Sequence, residues 1–174
     1  LNYIYIHAGV RGQGHSGRLV SAVRTAIGWA MGDDRAPLVF IELNDPFRMS
    51  AEDYARDTAF TGLDQPDRTR TWARRGAGIV DSPYELPPLT AEARADDTLI
   101  YGVLDPSGDL SACTLLDHLR KFFSISVLKG ISPSTVATAA RQLAMLDPLC
   151  SVGKRTALLD PAPLVSLPGG RDEI

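Results

Sequence analysis

Cysteine is scarce in this chain: Cys113 and Cys150 are the two, far apart and without metal-ligand spacing. On sequence grounds they are expected as reduced thiols of a cytoplasmic protein. Histidine is nearly as sparse, and His7, His15 and His118 form no H-x-x-x-H pattern, so no metal site is expected. No long basic run is present and the formal charge is -3, which argues against a general nucleic-acid binder. No apolar run approaches the length of a bilayer span and no signal peptide is visible, so no membrane partner is expected. Internal repeats are lacking too. What is there suits a packed globule: 174 residues, 44% of them apolar, enough for one domain with an appendage.

The richest stretch is Arg11-Gly12-Gln13-Gly14-His15-Ser16-Gly17. Before it, Ile4, Ile6, Ala8 and Val10 alternate as in a strand, predicted over residues 2–8. After it, Leu19, Val20, Val23, Ala26, Ile27 and Ala30 recur at helical spacing, predicting a helix over residues 14–31 that stops at Gly32 and the turn Asp33-Asp34-Arg35. Strand, glycine turn, helix is an order that aims backbone N–H groups and the positive end of the helix dipole at an anion. Glycine lets the backbone approach a phosphate closely. A phosphate-bearing cofactor is the first functional expectation.

The chain opens at Leu1, inside that predicted strand, which suggests an upstream segment or a partner copy completing the sheet, or a processed N-terminus. Residues 37–43 read as a second strand, nearly all apolar and so expected to be central and covered on both faces. The two strands with their helix imply a right-handed parallel unit. Asn44-Asp45-Pro46 ends it. Ser50 caps a short helix over residues 51–59, and another helix starts near Pro66, runs through Trp72 and ends at Gly76. Strands are predicted over 77–81 and 98–104, with a loop over 82–97 and a turn over 105–108. Helices follow over 115–128 and from Ser132-Pro133 to about Leu146. Beyond Pro161 the chain is punctuated by Pro and Gly and is expected to be mobile. The organisation expected is a core over residues 1–110 and a helical extension with its tail over 111–174.

Gly12-Gln13-Gly14-His15-Ser16-Gly17 matches the G-x-G-x-x-G of dinucleotide-binding Rossmann folds, with Glu42 in the position of the ribose-binding acid, although it arrives late. Gly12 and Gly17 also have P-loop separation, but Arg18 and Leu19 replace the Lys and the Ser/Thr of that motif. A third reading covers more of the chain. Residues 6–16 resemble the acetyl-coenzyme A loop of the GNAT acetyltransferase superfamily, with Arg11-x-x-Gly14-x-Ser16 after a strand. Asn44 at the end of the next strand, a helix ending in Trp72-Ala73-Arg74-Arg75-Gly76, and the strand at Gly78-Ile79-Val80 resemble the family's second block. The resemblance spans about residues 3–104 and matches the later half of that fold. It implies a mixed α/β sheet flanked by helices, with the family's first strands absent.

The resemblance further implies two splayed parallel strands admitting the pantetheine arm, with backbone contacts from Ile6 and Ala8. The pyrophosphate would be held by N–H groups of Arg11, Gly12, Gln13, Gly14, His15, Ser16 and Gly17, and Asn44 would reach the arm. It implies acetyl transfer from acetyl-CoA to a primary amine, small molecule or peptide, with an oxyanion donor at the strand N–H near Ile6. Where the family commonly has a Tyr acid, this chain has Trp72, whose N–H donates but cannot protonate a thiolate. Tyr84, Tyr54 and Tyr101 remain as acids, or the thiolate leaves unassisted. Glu42 is a general base or a polar residue satisfied at a strand end, and His7 faces a cleft or solvent. Tyr3 and Tyr5 are expected under a covering element. The acids Glu42, Asp45 and Asp53 suit a cationic amine. A non-catalytic, CoA-binding or protein-interaction module of the same shape is the alternative, with the apolar helix of Leu115, Leu116, Leu119, Phe122, Phe123 and Leu128 facing a partner or its own domain.

Overall fold

A computed structural model describes residues 4–32, 37–90, 93–104 and 108–165. The start at residues 1–3, including Tyr3, the turn at 33–35, most of the turn at 105–108 and the tail beyond 165 lie outside the described residues. The chain forms two units, Leu1–Phe40 and Ile41–Ile174. The class is mixed α/β.

In the first unit, α1 spans His15–Met31. Gly14 opens it and Gly32 closes it, both left-handed (φ 76° and 62°), and the Gly32 N–H returns to the carbonyls of Gly28 and Trp29. The strand expected over residues 2–8 does not form among the described residues. Residues 4–7 have no regular structure, and Ala8–Val10 make a single 3-10 turn. Local bonds win here: His7 Nδ1 accepts the Gly9 N–H (3.2 Å), and the Val10 and Arg11 N–H groups bond to the carbonyls of His7 and Ala8. Tyr5 is exposed instead of covered, with the Arg11 guanidinium over its ring at 6.0 Å.

The sheet runs in the order β1 (Val39–Asn44), β3 (Leu99–Leu104), β2 (Ala77–Val80), β6 (Leu158–Leu159). β2 pairs antiparallel with both β3 and β6. The Asp45 N–H bonds to the Thr98 carbonyl (2.7 Å), so the end of β1 meets the start of β3. β1 is therefore an edge strand whose neighbour is β3. That corrects the expectation of a central strand in a parallel unit. The splayed parallel pair is absent among the described residues, and so is the doubly wound parallel sheet of a Rossmann fold. The periodicity was sound, but an apolar strand does not state which neighbour it takes.

Two short helices link β1 to β2. Ser50 caps α2 (Ala51–Thr61) by accepting the Asp53 N–H at 3.1 Å. Asp64 caps α3 (Gln65–Ala73), with Pro66 in the first turn. Asp57 of α2 receives hydrogen bonds from Gln65 and Arg68 of α3, which ties the pair.

After β4 (Leu110–Ser111), α4 (Ala112–Lys121) continues as a π-helical segment, Phe122–Val127. Lys129 and Gly130, both at positive φ, end it. α5 (Ala137–Ser151) packs on α4, and β5 (Arg155–Thr156) pairs with β4. The last described element is a short α6, Ala162–Val165. Leu115, Leu119 and Phe123 face inward with Ala139 and Leu146 of α5. The helices expected as an extension thus belong to the unit that holds the sheet.

Cys113, at the start of α4, and Cys150, at the end of α5, form a disulfide, with Cα atoms 4.5 Å apart. This overturns the expectation of reduced thiols, and with it the support for a cytoplasmic location. Thirty-seven residues separate the pair in sequence; the packing of α4 on α5 and the pairing of β4 with β5 bring them together. A thiol reagent should find no thiol in the native protein, and urea unfolding with and without a dithiol reductant should differ by about 2–4 kcal/mol. Two reactive thiols in the untreated protein would contradict this.

Candidate functional site

The glycine loop is built by its own backbone. Gly12 and Gly14 both lie at positive φ (78° and 76°), and a Cβ on either would meet no atom within 4 Å. Glycine is needed here for conformation, and the space before the loop is open. Arg11 folds back, its Nε donating to the Ile6 carbonyl (3.1 Å). Arg18 Nη2 donates to the Gln13 carbonyl (3.0 Å) and lies 3.2 Å from His15 Nδ1; His15 also meets the Gln13 side chain. No acidic residue occupies the first turn of α1, so its positive end is not neutralised from within the turn. Ile6, Ala8, Ser16 and Gly17 flank this loop in the same unit.

In the second unit Glu42 and Tyr84, separate candidates on sequence grounds, meet. Tyr84, in the loop after β2, donates its hydroxyl hydrogen bond to Glu42 Oε1 on β1. Tyr84 is buried, 5% exposed, whereas Glu42 as a residue is exposed. The carboxyl group is the desolvated part of Glu42, seated against the buried phenol. Burial raises its pKa above the ordinary 4.5; the Tyr84 hydrogen bond pulls it back, and the charge of Asp96 adds to the rise. Burial and the Glu42 charge push the Tyr84 phenol far up, so it stays protonated. The result is a carboxyl group with heightened affinity for a proton.

Behind it lies an aromatic wall that sequence reasoning found only in part. The Tyr101 ring sits 4.5 Å from that of Tyr84, and Tyr101 Oη shares a 2.6 Å hydrogen bond with His118 Nε2. Phe122 stacks on His118 at 6.0 Å. Burial holds His118 down to about 4, against the opposing pull of Asp117, with Lys121 adding to the depression. The missed signal was positional: His118 stands on the apolar stripe of Leu115, Leu119 and Phe122, where a polar residue needs a partner.

Other candidates are occupied elsewhere. Asp45 accepts the Phe47 N–H and pairs with Arg48, while Asp53 pairs with Arg56 and helps cap α2. Trp72 is half-buried under the Arg75 guanidinium. Tyr54 is half-buried on α2, His7 caps the 3-10 turn, and Asn44 ends the edge strand. Among the described residues no His/Cys/Asp/Glu group could hold a metal ion, and no helix is long and apolar enough to cross a membrane. Comparisons with protein-family models, curated proteins and solved structures find no match to this chain.

Two titrations follow. Tyr84→Phe removes the bond that lowers Glu42 and keeps the burial, so Glu42 should titrate higher still by carboxyl 13C NMR; a fall would contradict burial as the main cause. Unfolded His118 takes a proton near 6.5 and the folded residue only near 4. Stability should therefore drop as pH falls through that window, and His118→Gln should flatten the drop in thermal melts. An equal drop in the variant would assign it to other groups.

Proposed function

We propose that this protein is an N-acetyltransferase that uses acetyl-CoA and acetylates a primary amine. The observation that carries this reading is the Glu42–Tyr84 pair, a carboxyl group with raised proton affinity hydrogen-bonded by a buried phenol. An attacking amine must be neutral, so a carboxylate of this kind is suited to take its proton. Glu42 is the base in this account. Tyr84 orients it: its hydroxyl is committed to Glu42 and its pKa lies too high to make it a good acid for a departing thiolate. The thiolate then leaves unassisted, which a thiol of ordinary pKa near 8.5 allows.

The glycine loop supports the cofactor half of the reading. Among the described residues a Cβ on Gly12 or Gly14 would meet no atom within 4 Å and the first turn of α1 holds no acid, which suits a diphosphate. The N–H groups from Gly12 to Gly17 would hold it, that of Arg11 being committed to the Ala8 carbonyl, and Arg18 would add positive charge at its edge. Bound there, acetyl-CoA supplies an activated thioester. Among the described residues the sheet lends no parallel cleft for the pantetheine arm.

The test is a pair of variants read in two assays. Acetyl-CoA should raise the melting temperature of the parent, and Gly14→Glu should abolish that rise by placing bulk and negative charge at the phosphate site. Glu42→Gln should keep the rise and cut thiol release with an amine panel by about 10²–10⁴-fold. An undiminished shift in folded Gly14→Glu would refute the loop as the cofactor site. Binding without release for any amine would favour the non-catalytic module.

A further inference from the structure

The loop between β2 and β3 presents Tyr84 to Glu42, yet it forms no regular ladder of its own. What holds it is unusual. Gln142, on the inner face of α5 and 3% exposed, meets the main chain of Glu85, the residue after Tyr84. Its Oε1 accepts the Glu85 N–H (3.1 Å), and its Nε2 donates to the Glu85 carbonyl (2.8 Å). One carboxamide thus gives a residue both the donor and the acceptor that a neighbouring strand would give. The same Nε2 donates to the Thr138 carbonyl (3.2 Å), so the buried amide is satisfied. One residue further on, Leu86 exchanges two backbone hydrogen bonds with Asp96 (2.8 and 3.0 Å). Residues 84–86 are therefore pinned by α5 and by the chain entering β3.

We propose that Gln142 is a positioning residue, clamping the main chain of Glu85 so that the Tyr84 hydroxyl stays seated on Glu42. The role rests on the reading of Glu42 as the working carboxylate. A Gln on a helix stripe with Ala139 and Leu146 gives up apolar packing, and its return is a fixed loop. Arg141 also reaches Glu85, but by a half-exposed ion pair to the side chain (2.7 Å), which steers the main chain little.

The test follows the carboxyl of Glu42, which faces Tyr84, Asp96 and, behind them, Tyr101. Gln142→Met keeps the volume and removes both bonds to Glu85. With the clamp gone, water reaches the carboxyl, and its titration by 13C NMR should fall toward the ordinary value. That direction is opposite to the rise expected when the phenol hydroxyl alone is removed. Gln142→Glu keeps one acceptor and loses the donor; it should give a smaller fall, and it serves if the Met variant does not fold. Arg141→Ala should leave the titration in place. An unchanged or raised Glu42 titration in the folded Gln142 variants overturns the proposal, and so does a fall in Arg141→Ala as large as theirs. The titration needs no cofactor or turnover, so a parent protein that transfers no acetyl group would refute the function and leave the clamp standing.

Discussion

A carboxylate held against a buried phenol is the constraint on which the rest of this molecule turns. Glu42 is exposed as a residue, but its carboxyl rests on Tyr84, and burial there costs more than the hydrogen bond returns. Such a contact is sustained only by a rigid surround. β1 supplies the carboxylate, β3 supplies the Tyr101 ring behind the phenol, and α4 with its π-helical continuation supplies His118, Phe122 and Phe123. α5 supplies the clamp on the loop. The disulfide between α4 and α5 fastens the two helices that do this work.

The elements that could be foreseen were those with a local cause. α1 begins and ends at left-handed glycines, α2 and α3 begin at Ser50 and Asp64, and the predicted bounds fall close to the observed ones. What could not be foreseen was who sits beside whom. The apolar run of residues 37–43 points to a central strand, yet the strand takes β3 alone as its neighbour among the described residues, since such a run says nothing of partners. Among the described residues the first expected strand gives way to a 3-10 turn, where His7 accepts the Gly9 N–H. β4, β5 and β6 are two residues each and carry no periodicity to detect.

The site divides in the same way. Glu42 and Tyr84 were named from sequence, but their contact spans forty-two residues and required the fold to reveal it. Cys113 and Cys150 were judged by spacing, which is silent on packing. His118 and Gln142 carried a readable sign, a polar side chain on an apolar helical stripe. Such a residue is satisfied by something, and here the partners are Tyr101 and the Glu85 backbone.

The glycine loop lies in one unit of the chain, and the carboxylate with its supports lies in the other. The central claim is that Glu42 removes the amine proton. The pH dependence of acetyl-CoA-dependent thiol release, measured with a reactive primary amine and set beside the NMR titration of Glu42, tests it most directly. An acidic limb in kcat/KM is expected at the pH where the Glu42 carboxyl ionises. A limb elsewhere, or release that is flat through that ionisation, would contradict it.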